Sequence, residues 1–205
     1  MARKARKRRQ ILMAALRVFA RKGFQRATLR EIAQEAGIGK STIYEYFDSK
    51  THLFQELVGF LFQNLERVAF GRLDPERPIL EQLCGVLTAF AQFMQRSPFG
   101  SAKEILAITT DIFAESIRHG TVDLRPVYER ETAVLRHLVA QGKERGEICS
   151  SLDPDTTASL IIAALDGLMT QWLLWPQEVD LEQRVQALCR LLQEGLGCAS
   201  RPSIP

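Results

Sequence analysis

The chain has 205 residues, 46% of them hydrophobic, enough to fill the core of one large domain or two small ones. No uninterrupted run of about 18 apolar residues occurs: the most apolar stretch, ASLIIAALDGLMTQWLLW (158 to 175), carries Asp166, Thr170 and Gln171, so no membrane span is expected. The net charge of +3 hides an asymmetry, with 13 Lys and Arg against 4 Asp and Glu in residues 1 to 50, and 14 against 20 in the remainder. A basic head on a mildly acidic body points to a polyanion as partner of the head, nucleic acid first, and a different task for the body.

The opening MARKARKRRQ has no apolar region of its own, which argues against a secretory signal and for a cytoplasmic chain. Its run of Arg3, Lys4 and Arg6 to Arg9 reads as a solvated disordered tail or as an arm along the backbone or minor groove of DNA; nonspecific phosphate contact is the favoured reading. Ile11, Leu12, Ala15, Leu16 and Phe19 then give a helical stripe that ends at Gly23. Thr28-Leu-Arg-Glu31 is a capping box opening a second helix, with Leu29, Ile32, Ala33 and Ala36 on its apolar face and a stop at Gly37. After Gly37, Ile38 and Gly39, a third helix is predicted from about Lys40 to Phe47, burying Ile43 and Phe47. Asp48 or Ser49 caps a long fourth helix to about Arg72.

Two short helices joined by a glycine-containing turn form a helix-turn-helix, whose second helix enters the major groove of DNA. With Ile43 and Phe47 facing inward, Lys40, Ser41, Thr42, Tyr44, Glu45 and Tyr46 cover the exposed faces and the N-terminus of helix three. Their hydroxyls and phenols suit phosphate or thymine methyls, Lys40 suits guanine, and a helix N-terminus favours phosphate. Tyr44 has two readings, packing across helices one and four or touching DNA. Thr28 caps a helix, and a cap beside phosphates also binds one.

Residues 11 to 57, ILMAALRVFARKGFQRATLREIAQEAGIGKSTIYEYFDSKTHLFQEL, resemble the DNA-binding domain of the TetR family of transcriptional regulators. The resemblance rests on Phe19, Gly23, Thr28, Ile32, Ala33, Ala36-Gly37, Thr42, Tyr44, Tyr46-Phe47, Ser49-Lys50 and Leu53. It implies that Thr42, Tyr44, Tyr46 and Lys50 hold phosphates while Lys40, Ser41 and Glu45 lie nearest the base edges. A carboxylate at position 45 is repelled by DNA unless it accepts from a cytosine amino group or pairs with a neighbouring Lys or Arg.

LDPERP (73 to 78) marks a break, after which helices are predicted from Ile79 to Gln95, Ser101 to about Arg118, Pro126 to Arg145, Asp155 to Trp175 and Leu181 to Glu194. Asp153-Pro154 is an N-cap and first-turn pair. The whole therefore reads as all-α, with a helix-turn-helix domain at 1 to 50 and a helical regulatory domain at 51 to 205. The resemblance implies a ligand cavity among the middle helices, for which Phe93, Phe113 and Trp172 are the candidate lining residues. The eighth helix is apolar almost all round, through Leu160, Ile161, Leu165, Leu168, Met169, Trp172 and Leu173, and needs cover on more than one side. The resemblance makes it and the last helix (Leu181, Val185, Leu188, Leu191, Leu192) the dimerisation pair. Paired recognition helices reading a palindrome about 34 to 36 Å per half-site repeat also call for a homodimer.

An enzyme is disfavoured: His52, His119 and His137 are scattered and no HExxH, GxSxG or P-loop pattern occurs. Cys84, Cys149, Cys189 and Cys198 lack metal or disulfide spacing, so reduced thiols and no metal or other cofactor are expected. An architectural DNA binder leaves the large body without a purpose. The sequence thus predicts a repressor released from a palindromic operator on double-stranded DNA by a small, partly apolar effector.

Overall fold

A computed structural model of the protein describes residues 2 to 71 and 73 to 197, so that Arg72 and Cys198 lie outside the described residues. Within them the chain forms α1 (Ala2–Lys22), α2 (Leu29–Glu35), α3 (Lys40–Tyr44), α4 (Lys50–Phe70), α5 (Ile79–Gln95), α6 (Ala102–His119), α7 (Arg125–Glu144), α8 (Pro154–Leu174) and α9 (Leu181–Leu196). The predicted helices are present, with two notable differences. The basic start is no tail, because α1 begins at Ala2 and carries Arg3 to Arg9 as its first turns. Helix three stops at Tyr44, although Phe47 beyond it is fully buried as expected.

The helix boundaries follow their local chemistry. Thr28 accepts from the Glu31 amide while the Glu31 carboxylate accepts from the Thr28 amide, completing the capping box of α2. Its other end closes with the Ile38 amide donating to the Ala33 carbonyl and the Gly37 amide to the Gln34 carbonyl, both at 3.0 Å. That motif needs a left-handed residue, and Gly37 supplies it at φ 63°. Ser49, rather than Asp48, caps α4 by accepting from the His52 amide. Asp153 caps α8 from the Thr156 amide, with Pro154 in the first turn.

By compactness the chain divides into two units: the first holds Met1–Asn64 and Ser97–Leu124, the second Leu65–Arg96 and Arg125–Pro205. The chain therefore passes between them three times, once inside the unbroken helix α4. In the first unit α1 packs on α2 and on α6, and α2 on α3. Its core is aromatic: Phe54 meets Phe19 edge-on at 5.4 Å and Phe24 at 4.4 Å between ring centres. The presence of α6 here has a polar cause. Asp111 accepts from the Phe24 amide at 2.7 Å, and Glu115, buried, accepts from Gln25 and from the Thr121 hydroxyl. Loss of water at the half-buried Asp111 pushes its carboxyl above the usual carboxylate range.

In the second unit α7 packs on α8 and α5, and α9 on α5 and α8. By length and composition α8 would suffice to cross a membrane, at a mean hydropathy of 1.4, despite Asp166, Thr170 and Gln171. It packs as a core helix instead, burying Ile161, Ile162, Leu165, Trp172 and Leu173 against its neighbours. Leu160 and Leu174 on its other side stay exposed, as does Leu191 on α9. Cys84 on α5 and Cys189 on α9 are free thiols, each donating to the other's carbonyl at 3.8 and 3.9 Å.

Candidate nucleic-acid interface and internal cavity

Helix α3 is anchored by Ile43 and, just past its end, Phe47, both fully buried. That leaves Lys40, Ser41, Tyr44 and Glu45 exposed and Thr42 and Tyr46 half-buried. Tyr44, at 48% exposure, keeps about half of its surface available to a partner outside the chain. Thr28 is exposed, but its hydroxyl already serves the cap, accepting from the Glu31 amide and donating to the Glu31 carboxylate at 3.0 Å. Lys50 is more deeply engaged: its ammonium donates to the carbonyls of Phe24 and Gln25 at 2.8 and 2.9 Å and lies 4.7 Å from the centre of the Phe24 ring. Lys50 thus ties α4 to the turn after α1, a structural task its sequence position does not reveal.

The first turns of α1 complete a basic surface beside α3. Arg3, Arg6, Lys7 and Gln10 line a cleft of about 400 Å³ together with Thr42, Glu45 and Tyr46. Glu45 shares it with three cations, which is the setting that lets a carboxylate stand close to a polyanion. Sequence reasoning missed this juxtaposition because the legible stripe of helix one begins only at Ile11. A polar helix with no apolar period gives no such signal, although Arg3, Arg6, Lys7 and Gln10 do recur at helical spacing.

The surface is held rigidly from behind. Arg17 and Arg21 both donate to Glu35 at 2.7 Å, Lys22 pairs with Glu31, and the Gln10 amide donates to the Ala36 carbonyl at 2.6 Å. Those cations hold the acids below the usual carboxylate range, Arg17 leading for Glu35 and Lys22 for Glu31. Arg8 pairs with Glu56 and sits 5.5 Å from the Phe47 ring centre. His52 accepts from the Asp48 amide, while His119 and His137 are exposed and remote in sequence.

The second unit holds a narrow, partly open cavity of about 40 Å³. Its walls are Leu65, Ala69 and Phe70 of α4, Val86, Leu87 and Phe90 of α5, Leu135 of α7, and Ile162 and Leu165 of α8, with Glu66, Glu131 and Asp166 as its polar members. None of the aromatic residues expected from sequence lines it: Phe93 is half-buried on α5, Phe113 is exposed on α6 in the other unit, and Trp172 is buried within α8's packing. Glu66 is paired with Arg130 at 2.9 Å, and Asp166 accepts from the Tyr128 hydroxyl at 3.0 Å. Burial, then the charges of Asp166 and Glu66, push the Glu131 carboxyl up to about 7. Burial likewise raises Asp166 and, with the Asp166 charge, the Tyr128 phenol.

Known proteins resemble this chain in both its N-terminal and its C-terminal part. Residues 11–57 match the model of the bacterial regulatory proteins of the tetR family, and residues 103–197 the C-terminal model of BetI-type transcriptional repressors. A probable helix-turn-helix regulator of Pseudomonas putida, ArpR, is 31% identical over 182 residues, covering 85% of this chain and 83% of its own. Among solved structures, the fatty acid degradation regulator FadR of Bacillus halodurans superposes with a TM-score of 0.77 at 22% identity, covering 96% of this chain and 97% of its own. A regulator from Saccharomonospora viridis in complex with choline does so with a TM-score of 0.75 at 22% identity, covering 95% and 100%.

Proposed function

This chain belongs to the TetR family of DNA-binding transcriptional regulators and is not an enzyme, and from that premise we propose that it is a repressor released from a palindromic operator by a small, partly apolar effector. The observation that carries the DNA half is the cleft in which Arg3, Arg6 and Lys7 of α1 flank Thr42, Glu45 and Tyr46. Cations on the first turns neutralise phosphates and fix the register, while the exposed Lys40, Ser41 and Glu45 meet base edges. Thr42, Tyr44 and Tyr46 donate hydroxyls to the backbone, and Lys50 and Thr28 act beside it while holding the turn and the cap. The effector enters the second unit's cavity from the cytoplasm. Two chains pair through the outward side of α8 and α9, where Leu160 and Leu191 are 65% and 66% exposed. Trp172 supports that face from inside its own chain.

Release follows from a shift of population. A ligand that holds the cavity's helices apart favours a dimer whose recognition helices miss the half-site spacing, and α4, shared by both units, carries the change. Binding to an operator fragment across a salt series tests the interface. Replacing Arg3, Arg6 and Lys7 together by Ala should lower the magnitude of the salt slope by about 0.9 for every phosphate that a subunit ceases to neutralise, with little change in base preference. An unchanged slope removes the arm from the interface. Sedimentation of Leu160→Glu with Leu191→Glu tests the dimer, since carboxylates buried without partners cost several kcal/mol each; a variant of native dimer mass places the interface elsewhere.

A further inference from the structure

The cavity of the second unit is unusual in what its polar members lack. Glu66 has Arg130 and Asp166 has the Tyr128 hydroxyl, but the Glu131 carboxylate makes no hydrogen bond or ion pair among the described residues. It stands half-buried near Asp166, with no cation among the described residues that line the cavity and Arg130 of its own helix outside that lining. The rest of the lining is aliphatic, apart from the rings of Phe70 and Phe90. Unpaired negative charge, low dielectric and two aromatic faces together select a cation with apolar substituents.

We propose that this cavity receives the ammonium head of a small apolar amine, seated between Glu131 and Asp166 and against Phe70 and Phe90. The inference rests on the effector reading above and names the effector's chemical class. A volume of about 40 Å³ takes a head little larger than a water molecule, whose share of the liquid is about 30 Å³. The apolar remainder of the ligand needs the walls from α4, α5, α7 and α8 to part. Occupancy and movement of those helices are therefore one event.

Charge recognition here carries a pH signature that a neutral ligand does not share. Glu131 on α7 is faced by Glu66 of α4, Asp166 of α8 and Arg130 and Tyr128 of its own helix, while the described lining from α5 is Val86, Leu87 and Phe90. With its carboxyl near 7, Glu131 holds a proton below neutrality that an ammonium ion must displace. Affinity for the cation should thus rise with pH, about tenfold between about pH 6 and about pH 8, as one proton ceases to compete.

The test compares 2-phenylethylamine, protonated throughout that range, with 2-phenylethanol of nearly the same size, by calorimetric titration of the full-length protein with and without operator. The expected result is at least about tenfold tighter binding of the amine at about pH 8, rising with pH, and loss of that preference in Glu131→Gln. Asp166→Asn serves as a second variant, expected to narrow the preference, should the first fail to fold. Equal binding of the two compounds, tighter binding of the alcohol, or no saturable binding of the amine overturns the proposal. An alcohol that binds equally and releases operator overturns the charge class while leaving the effector reading standing. An amine that binds with the expected preference but leaves operator affinity unchanged supports the ligand class and overturns the effector reading.

Discussion

In the first unit Glu31 and Glu35 face Lys22, Arg17 and Arg21 at the surface, whereas in the second Glu131 and Asp166 both line an apolar cavity. The first pair is held below the usual carboxylate range by its cations, the second above it by loss of water. Chemistry of one kind, the carboxylate, thus does opposite work. Where acids fasten α2 to α1 they fix the surface that, on the proposed function, would have to match a rigid duplex. Where they are left without cations they make a region that, on the proposed function, would gain by taking up a ligand. The contrast is not absolute: Asp111, in the first unit, is also raised, but has a firm partner in the Phe24 amide, and Asp153, in the second, is lowered by the Thr156 amide it caps.

The sharpest way to break the comparison is to loosen the rigid side alone. Phe54→Ala removes the ring that packs on Phe19 and Phe24 and should cost the first unit about 3 to 5 kcal/mol. Both tryptophans, Trp172 and Trp175, belong to the second unit, so their emission follows that unit during unfolding. An early transition in circular dichroism with an unmoved tryptophan transition is expected. Coincident shifts would show that the two units unfold together.

The second test bears on the strained side. A carboxyl raised from 4.5 to about 7 binds its proton more tightly folded than unfolded, so stability falls as pH rises from about 4.5 to about 7 and stays lowered above. Glu131→Gln should flatten that fall and raise the second unit's stability at about pH 8 by about 2 kcal/mol, taking about 1.4 kcal/mol per pH unit and allowing for residual water contact. Denaturant unfolding followed by tryptophan emission at about pH 5 and about pH 8 measures it. A destabilised variant at the higher pH would mean that Glu131 has a stabilising partner.

The smallest effect belongs to the cap. Thr28→Ala removes the hydroxyl from the Glu31 amide and should cost about 1 kcal/mol, read as a lowered midpoint in the circular dichroism transition of the first unit. Thr28→Ser restores the oxygen and should recover most of that stability. If operator affinity falls with Ala beyond what the change in stability explains, the hydroxyl also meets DNA.

How legible each region was follows from the range of its determinants. The capping box, the stop at Gly37 and the inward pair Ile43 and Phe47 are written within a few residues of one another, and the structure has them as read. The cavity draws Phe70, Phe90, Glu131 and Asp166 from four helices spread over about half the chain, so no local pattern marks them. Phe93, Phe113 and Trp172, chosen by aromatic character, do not line this cavity, because ring direction depends on packing between helices. The place of α6 was hidden for the same reason: its ties run from Asp111 and Glu115 to Phe24 and Gln25, some ninety residues away.

The three passages of the chain between units have a consequence for recombination. Neither unit is a contiguous piece of sequence, so a splice at residue 50 would give one parent's head the other parent's α6. The Asp111 carboxylate would then have to find a foreign Phe24 amide, and Glu115 a foreign Gln25. Grafting a new operator preference onto this body is therefore better done by exchanging exposed side chains of α3 than by swapping whole segments, and exchange of a full head must carry residues 97 to 124 with it.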